Sequence, residues 1–167
     1  MTITYDRIAT NTLSSATASV TFSSIPSTYT DLVLASSCLG QTNTSYIECV
    51  RFNSDTNNNY SNVFAGGYVS SAGGNTNTNV SYIFVNHLNG YFTTGNPMTA
   101  ITHIQNYSNT SIQKIALSRG GGAATDVAMM AGLWRNTSAI NSITIFFQSS
   151  TDLQAGSTFT LYGIKAE

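Results

Sequence analysis

Few residues in this chain are of the types that carry out catalysis. It contains two histidines, two cysteines and seven acidic residues. His87 and His103 lie in segments with strand patterns and have no carboxylate or cysteine at a ligand-like offset, so we expect hydrogen-bonded structural side chains. The acidic residues are scattered, which provides no carboxylate pair for glycoside hydrolysis, and no Ser-His-Asp triad follows from residue order. We therefore expect no enzyme activity, no catalytic residue and no cofactor.

Two motifs partly resemble ligand-binding loops. Residues 55–59 have the opening spacing of a calcium loop, but Tyr60 stands where the turn needs glycine and Gly66 where it needs a bidentate glutamate. Residues 120–122 are three glycines, but alanines follow them where a phosphate loop needs lysine and a hydroxyl residue. The first motif predicts a solvated turn and the second a flexible or tight connection between strands. We expect no metal site.

The two cysteines, Cys38 and Cys49, fit no zinc or iron–sulfur pattern. We predict two small, buried, free thiols in a protein made in a reducing cytosol. An alternative remains open, in which residues 41–43 form a hairpin loop and the two thiols face each other.

Composition limits the partners. Of the 167 residues 41% are apolar and only 8% are charged, and the net charge is −1, so we expect no nucleic-acid or membrane partner. A surface of hydroxyls and amides repels neighbouring copies weakly, which suits a densely packed subunit. No signal peptide, lipidation motif or membrane span is evident, which predicts a soluble protein.

Alternation and short apolar runs predict an all-β fold. Pro26 predicts a turn between a half-buried strand and a central strand buried on both faces. Turn clusters, including residues 73–79 and 120–122, separate the segments, so we predict one antiparallel β-sandwich domain over residues 1–167. The predicted strands are residues 3–8, 18–22, 32–35, 47–52, 63–69, 80–88, 98–107, 112–117, 127–134, 140–147 and 159–164.

Two of these segments need comment. Residues 123–133 contain good helix formers, but the preceding glycines and the alternation of Val127 and Met129 favour a strand. In residues 139–147, Ile143, Ile145 and Phe147 alternate onto one face, which predicts a core strand.

Four apolar side chains are candidate protein contacts. Tyr91 and Phe92 lie next to turn residues, where exposed rings reduce solubility, so they either form a contact surface or pack under their own loop. Ile3 and Tyr5 form a short apolar stripe that we expect to lie against a neighbouring subunit or the shell of a larger assembly.

Four sets of segments along the chain form a recognisable series. They are FSSIPSTYTDL (22–32), VRFNSD (50–55) with NYS (59–61), GLWR (132–135) with SAINSI (138–143), and AGSTFTLYGI (155–164). In this order, along nearly the whole chain, they resemble a family of small virion-associated proteins of tailed bacteriophages. The resemblance implies a jelly-roll-like structural protein of the particle, in several cases a cement or decoration protein that binds the outside of the capsid, commonly as a trimer. The implied partner is the major capsid protein, and the implied location is the virion exterior after synthesis in the bacterial cytoplasm. No functional residue is carried over.

Two other functions remain as alternatives. A tail- or head-fibre module that binds carbohydrate would use Tyr91, Phe92 and Trp134 as stacking residues. A glycosidase or lyase on a β-scaffold would need paired carboxylates, which the sequence does not suggest.

Overall fold

The computed structural model describes residues 5–41, 47–68, 71–87, 96–122 and 126–165. These residues form twelve strands and no helix, which confirms the all-β prediction. The strands are β1 (Tyr5–Thr12), β2 (Ser19–Phe22), β3 (Asp31–Cys38), β4 (Ile47–Phe52), β5 (Tyr60–Tyr68), β6 (Ser71–Val80), β7 (Ile83–His87), β8 (Met98–Ile104), β9 (Lys114–Gly122), β10 (Asp126–Trp134), β11 (Ile143–Phe147) and β12 (Thr158–Ile164).

The strands form two packed antiparallel sheets. The large sheet has the order β1-β12-β3-β8-β9-β10-β5-β6 and the small sheet the order β2-β11-β4-β7. Without the hairpin β5–β6 and the strands β9 and β10, eight strands remain, four in each sheet. Each successive strand crosses to the other sheet, except that β4 and β7 both lie in the small sheet. This is the arrangement of a jelly roll. The four additional strands extend only the large sheet.

The core between the sheets confirms the strand predicted near residue 145. Ile143, Ile145 and Phe147 of β11 are fully buried, in one cluster with side chains from both sheets. Phe146 points to the opposite face, where the Arg51 guanidinium lies 4.7 Å from the centre of its ring. β2 alternates exposed and buried residues as predicted for a strand with one wet face.

Two predicted turns are strand instead. Residues 73–79 belong to the edge strand β6, which pairs with β5 in antiparallel register. Residues 120–122 are the end of β9 and pair with β10. Glycine and asparagine are poor strand signals, but main-chain hydrogen bonds to a neighbouring strand hold these segments without buried side chains. For residues 127–134 a strand was predicted in preference to a helix, and β10 confirms the strand.

Candidate interaction surface

Small side chains line the inner face of the large sheet where β7 of the small sheet packs against it. A Cβ on Gly132 would lie 2.3 Å from Cγ2 of Ile83, so only glycine leaves room for β7. The hydroxyl of Ser118 donates a hydrogen bond to the carbonyl of Val85 at 2.5 Å and accepts one from Thr102 at 3.0 Å. Small and hydroxyl side chains on β8, β9 and β10 therefore face inward.

Several large aliphatic side chains of these strands and of the neighbouring β5 face outward instead. Six of them, on four adjacent strands, are between 44% and 68% exposed. Register makes them neighbours, since Leu117 of β9 lies opposite Ala131 of β10, which lies opposite Val63 of β5. Monomeric proteins rarely expose a large contiguous apolar surface without a partner. We call this surface the apolar patch, and it consists of Val63, Ile101, Ile115, Leu117, Val127 and Met129.

A hollow lies at one end of the apolar patch. Gly121 of β9 stands between Thr99 of β8 and Val127 of β10, so no side chain covers the backbone there. The hollow has a volume of about 560 Å³ and is open to solvent. Ile101, Val127, Arg119 and Asp126 are among the residues that line it, which makes it a largely apolar depression with one arginine and one aspartate in its lining.

Arg119 is the one charged residue on the outer face of β8, β9, β10 and β5 within the described part of the chain. It is exposed and makes no hydrogen bond or ion pair with the described residues. At the border with β3, Asp31 already accepts from His103, with Nε2 and Oδ2 3.0 Å apart. His103 is thus hydrogen-bonded, as predicted.

The other half of the same outer face is polar. Threonines of β1 and β12 face each other across the strands, with hydroxyl oxygens 3.1 Å apart in the pair Thr10–Thr160. The predicted contact residue Tyr5 lies at this edge, 56% exposed, with its ring edge-on to Tyr162 at 6.4 Å. The other three predicted contact residues, Ile3, Tyr91 and Phe92, lie outside the described residues.

The sequence prediction did not identify the apolar patch. Alternation in β9 separates Ile115 and Leu117 from Ala116 and Ser118, and the larger pair would ordinarily be assigned to the core. The smaller residues face the core here because β7 lies so close to the sheet, and a local sequence pattern does not show that packing. The available signal was that one face of β9 carries only small or polar residues.

The buried carboxyl of Glu48 is a second chemically distinctive group. It points between the sheets, where Oε2 accepts hydrogen bonds from Ser36 at 3.1 Å and from the Cys38 thiol at 3.5 Å. Its Oε1 has no partner among the described residues, and neither has the amide of its neighbour across the strands, Asn86. Burial raises the pKa of Glu48 to about 7. Enclosed between the sheets, the carboxyl contacts no solvent-borne substrate.

Both cysteines are buried free thiols, as predicted. The alternative in which a hairpin makes them neighbours is wrong, because Cys38 lies in β3 of the large sheet and Cys49 in β4 of the small one, and these strands do not pair. Burial, with the nearby Glu48 carboxyl, raises the pKa of both thiols, which disfavours reactive thiolate.

Trp134, one of three stacking residues in the carbohydrate-binding alternative, lies in the interior. It is 1% exposed, stacks on Tyr60 with ring centres 6.0 Å apart, and donates from Nε1 to Asp55 at 2.8 Å. Burial acts to raise the pKa of Asp55, but hydrogen bonds from Asn59, Asn57 and Trp134 outweigh it and lower the pKa to about 2. The predicted solvated turn at 55–59 is thus anchored to the core through its first residue.

No model of a known protein family matches this sequence, and no curated protein is significantly similar to it. Within the described ranges, no three side chains of the metal-binding types His, Cys, Asp and Glu converge. The same residues include no helix long and apolar enough to cross a membrane.

Proposed function

We propose that the protein is a structural subunit of a tailed-bacteriophage particle, without enzyme activity. In this proposal it is a cement protein that binds the outer surface of the capsid shell and reinforces it through non-covalent contacts. The sequence resemblance supports the phage assignment. The observation that carries the binding role is the apolar patch, a rigid sheet face with six exposed aliphatic side chains.

The energy available from the apolar patch favours multivalent attachment. Its exposed fractions together equal about three fully exposed side chains. Burying them contributes roughly 5 to 9 kcal/mol, at about 1.5 to 3 kcal/mol for each fully buried side chain. Association costs about 4 to 15 kcal/mol in lost freedom. One copy gains little, so we propose a homotrimer whose three patches bind the major capsid protein together.

The low charge of the chain is consistent with subunits packed closely against one another. A chain with 8% charged residues and a net charge of −1 does not repel its copies strongly. An apolar interface depends little on ion pairs, which salt screens. We therefore expect attachment to persist at salt concentrations that release an ion-paired protein.

The test uses capsids that lack the protein. The wild type, a Val127→Ser/Met129→Ser variant and the control Ile112→Ser are added, and bound protein and capsid heat resistance are measured. Ile112 is 44% exposed but lies in the connection before β9, outside the apolar patch. We expect the wild type and Ile112→Ser to bind and protect the capsid, and the patch variant to do neither.

The outcome that contradicts the proposal is a wild-type protein that neither binds nor protects such capsids. If that protein instead binds host cells or glycans, the carbohydrate-binding fibre module takes its place. Burial of Trp134 removes one of the three stacking residues on which that alternative relied.

A further inference from the structure

We infer that Arg119 and the hollow determine what the apolar patch recognises: a protein surface that presents an aliphatic side chain next to a carboxylate. This inference rests on the proposed function, because it describes the part of the capsid shell that the patch contacts. It adds the chemistry of the partner, which the presence of an apolar surface alone does not define.

Arg119 sits among aliphatic neighbours. In the register of the sheet it lies between Ile101 of β8 and Met129 of β10. Any partner that covers these two side chains also removes water from the guanidinium group. A desolvated, unpaired cation is costly, whereas a carboxylate matches the guanidinium with two parallel hydrogen bonds. A partner surface without a carboxylate at this point is therefore disfavoured.

The described residues provide no internal carboxylate for this role. Asp31 is hydrogen-bonded to His103 and to the backbone N–H of Asn106. Asp126 also lines the hollow, but its Oδ2 is buried and its Oδ1 lies 3.4 Å from the N–H of Gly122, and it forms no ion pair with Arg119. Charge complementarity at Arg119 must come from the partner.

The hollow is the site that would receive the aliphatic side chain of the partner. Its floor is Gly121, where an added Cβ would lie 2.3 Å from the carbonyl oxygen of Asp126, so the backbone itself requires glycine. Ile101 and Val127 line the hollow and offer apolar contact, and Arg119 stands at its margin. An aliphatic side chain seated here brings an adjacent carboxylate within reach of Arg119.

A protein carboxylate fits better than a phosphate polyanion. Nucleic acid is held by many cations, and its affinity scales with their number. Only one cation, Arg119, lies among the described side chains of the apolar patch, and the whole chain has a net charge of −1. The partner is therefore a protein surface with an aspartate, a glutamate or a chain terminus.

The test compares two arginines on the same outer face. Arg7 is exposed and pairs with Tyr162 of β12, four strands and about 19 Å from β9. Arg119→Gln, Arg119→Lys and Arg7→Gln are assayed for binding to capsids that lack the protein, after circular dichroism and melting curves confirm the fold. Thr99→Trp, at the exposed rim of the hollow, tests the hollow separately.

We expect Arg119→Gln to weaken capsid binding at least tenfold, Arg119→Lys to weaken it less, and Arg7→Gln to leave it unchanged. Thr99→Trp should also weaken binding at least tenfold. If the wild type binds but Arg119→Gln binds equally well, this inference is wrong and the proposed function stands. If Arg7→Gln weakens binding as much as Arg119→Gln, the effect is one of general charge, and the inference is also wrong. If the wild type does not bind, both fail.

Discussion

The Glu48 carboxyl should make the free energy of unfolding depend on pH, and the substitution Glu48→Gln should remove that dependence. Burial raises its pKa from 4.5 to about 7. A shift of about 2.5 pKa units at ~1.4 kcal/mol per unit corresponds to roughly 3 kcal/mol. The group lies fully between the sheets, with only Ser36 and Cys38 as partners, so solvent does not screen the effect.

The sign follows from which state holds the proton. Between pH 4.5 and pH 7 the unfolded chain ionises Glu48 while the folded chain keeps it protonated, so the folded state binds more protons. The free energy of unfolding therefore falls as pH rises through this window. Stability from this group is complete below about pH 4.5 and lost above about pH 7.

The assay is urea unfolding of the wild type and Glu48→Gln at a series of pH values from 4 to 8. A glutamine cannot ionise, so the difference in unfolding free energy should move by about 3 kcal/mol in favour of the variant across the series. Asp152→Asn, at an exposed position, is the control and should run parallel to the wild type. Parallel pH profiles for the wild type and Glu48→Gln would refute the reasoning, because Glu48 would then titrate alike in both states.

Three other predictions concern the core, the thiols and the assembly. Ile145→Ala should lower the unfolding free energy by ~2 to 5 kcal/mol through the cavity it leaves, while Val127→Ala, on the exposed face, should change it by less than about 0.5 kcal/mol; equal melting temperatures for all three proteins would contradict the core assignment. Alkylation of denatured protein should give the same mass with and without prior reduction, since Cys38 and Cys49 are both free thiols, and a mass that changes only after reduction would show a disulfide. Light scattering should give the mass of a trimer, and a monomer both in micromolar solution and on the capsid would exclude it.

The strands were largely predictable because their alternation is local. The bounds predicted for the strand at 47–52 are those of β4, and β10 was assigned correctly against a helix alternative. The strand β6 was missed because five of its residues are glycine or asparagine, which are rare in strands, and an edge strand is held by its neighbour's backbone.

The burial of polar side chains was even harder to predict from the sequence than the edge strand. Glu48 interrupts the alternation of β4 next to a bulge in its pairing with β7, and nothing in the sequence shows that β3 supplies a hydroxyl and a thiol opposite it. Trp134 looked like a surface ring because the aspartate that accepts its N–H lies 79 residues away in sequence. Both assignments require the packing of one sheet on the other.

The apolar patch is the part of the surface that the fold itself does not explain. Inside the large sheet, glycine at 132 and hydroxyls at 102 and 118 are required by the approach of β7. No such requirement acts on the outer face, where threonines serve well on β1 and β12 in the same sheet. Aliphatic residues at positions 115, 117 and 129 bury little within the chain and reduce its solubility. In the proposed function a binding partner supplies the reason that folding does not. Five of the six side chains of the apolar patch lie on the additional strands β5, β9 and β10, so these strands would carry most of the interaction.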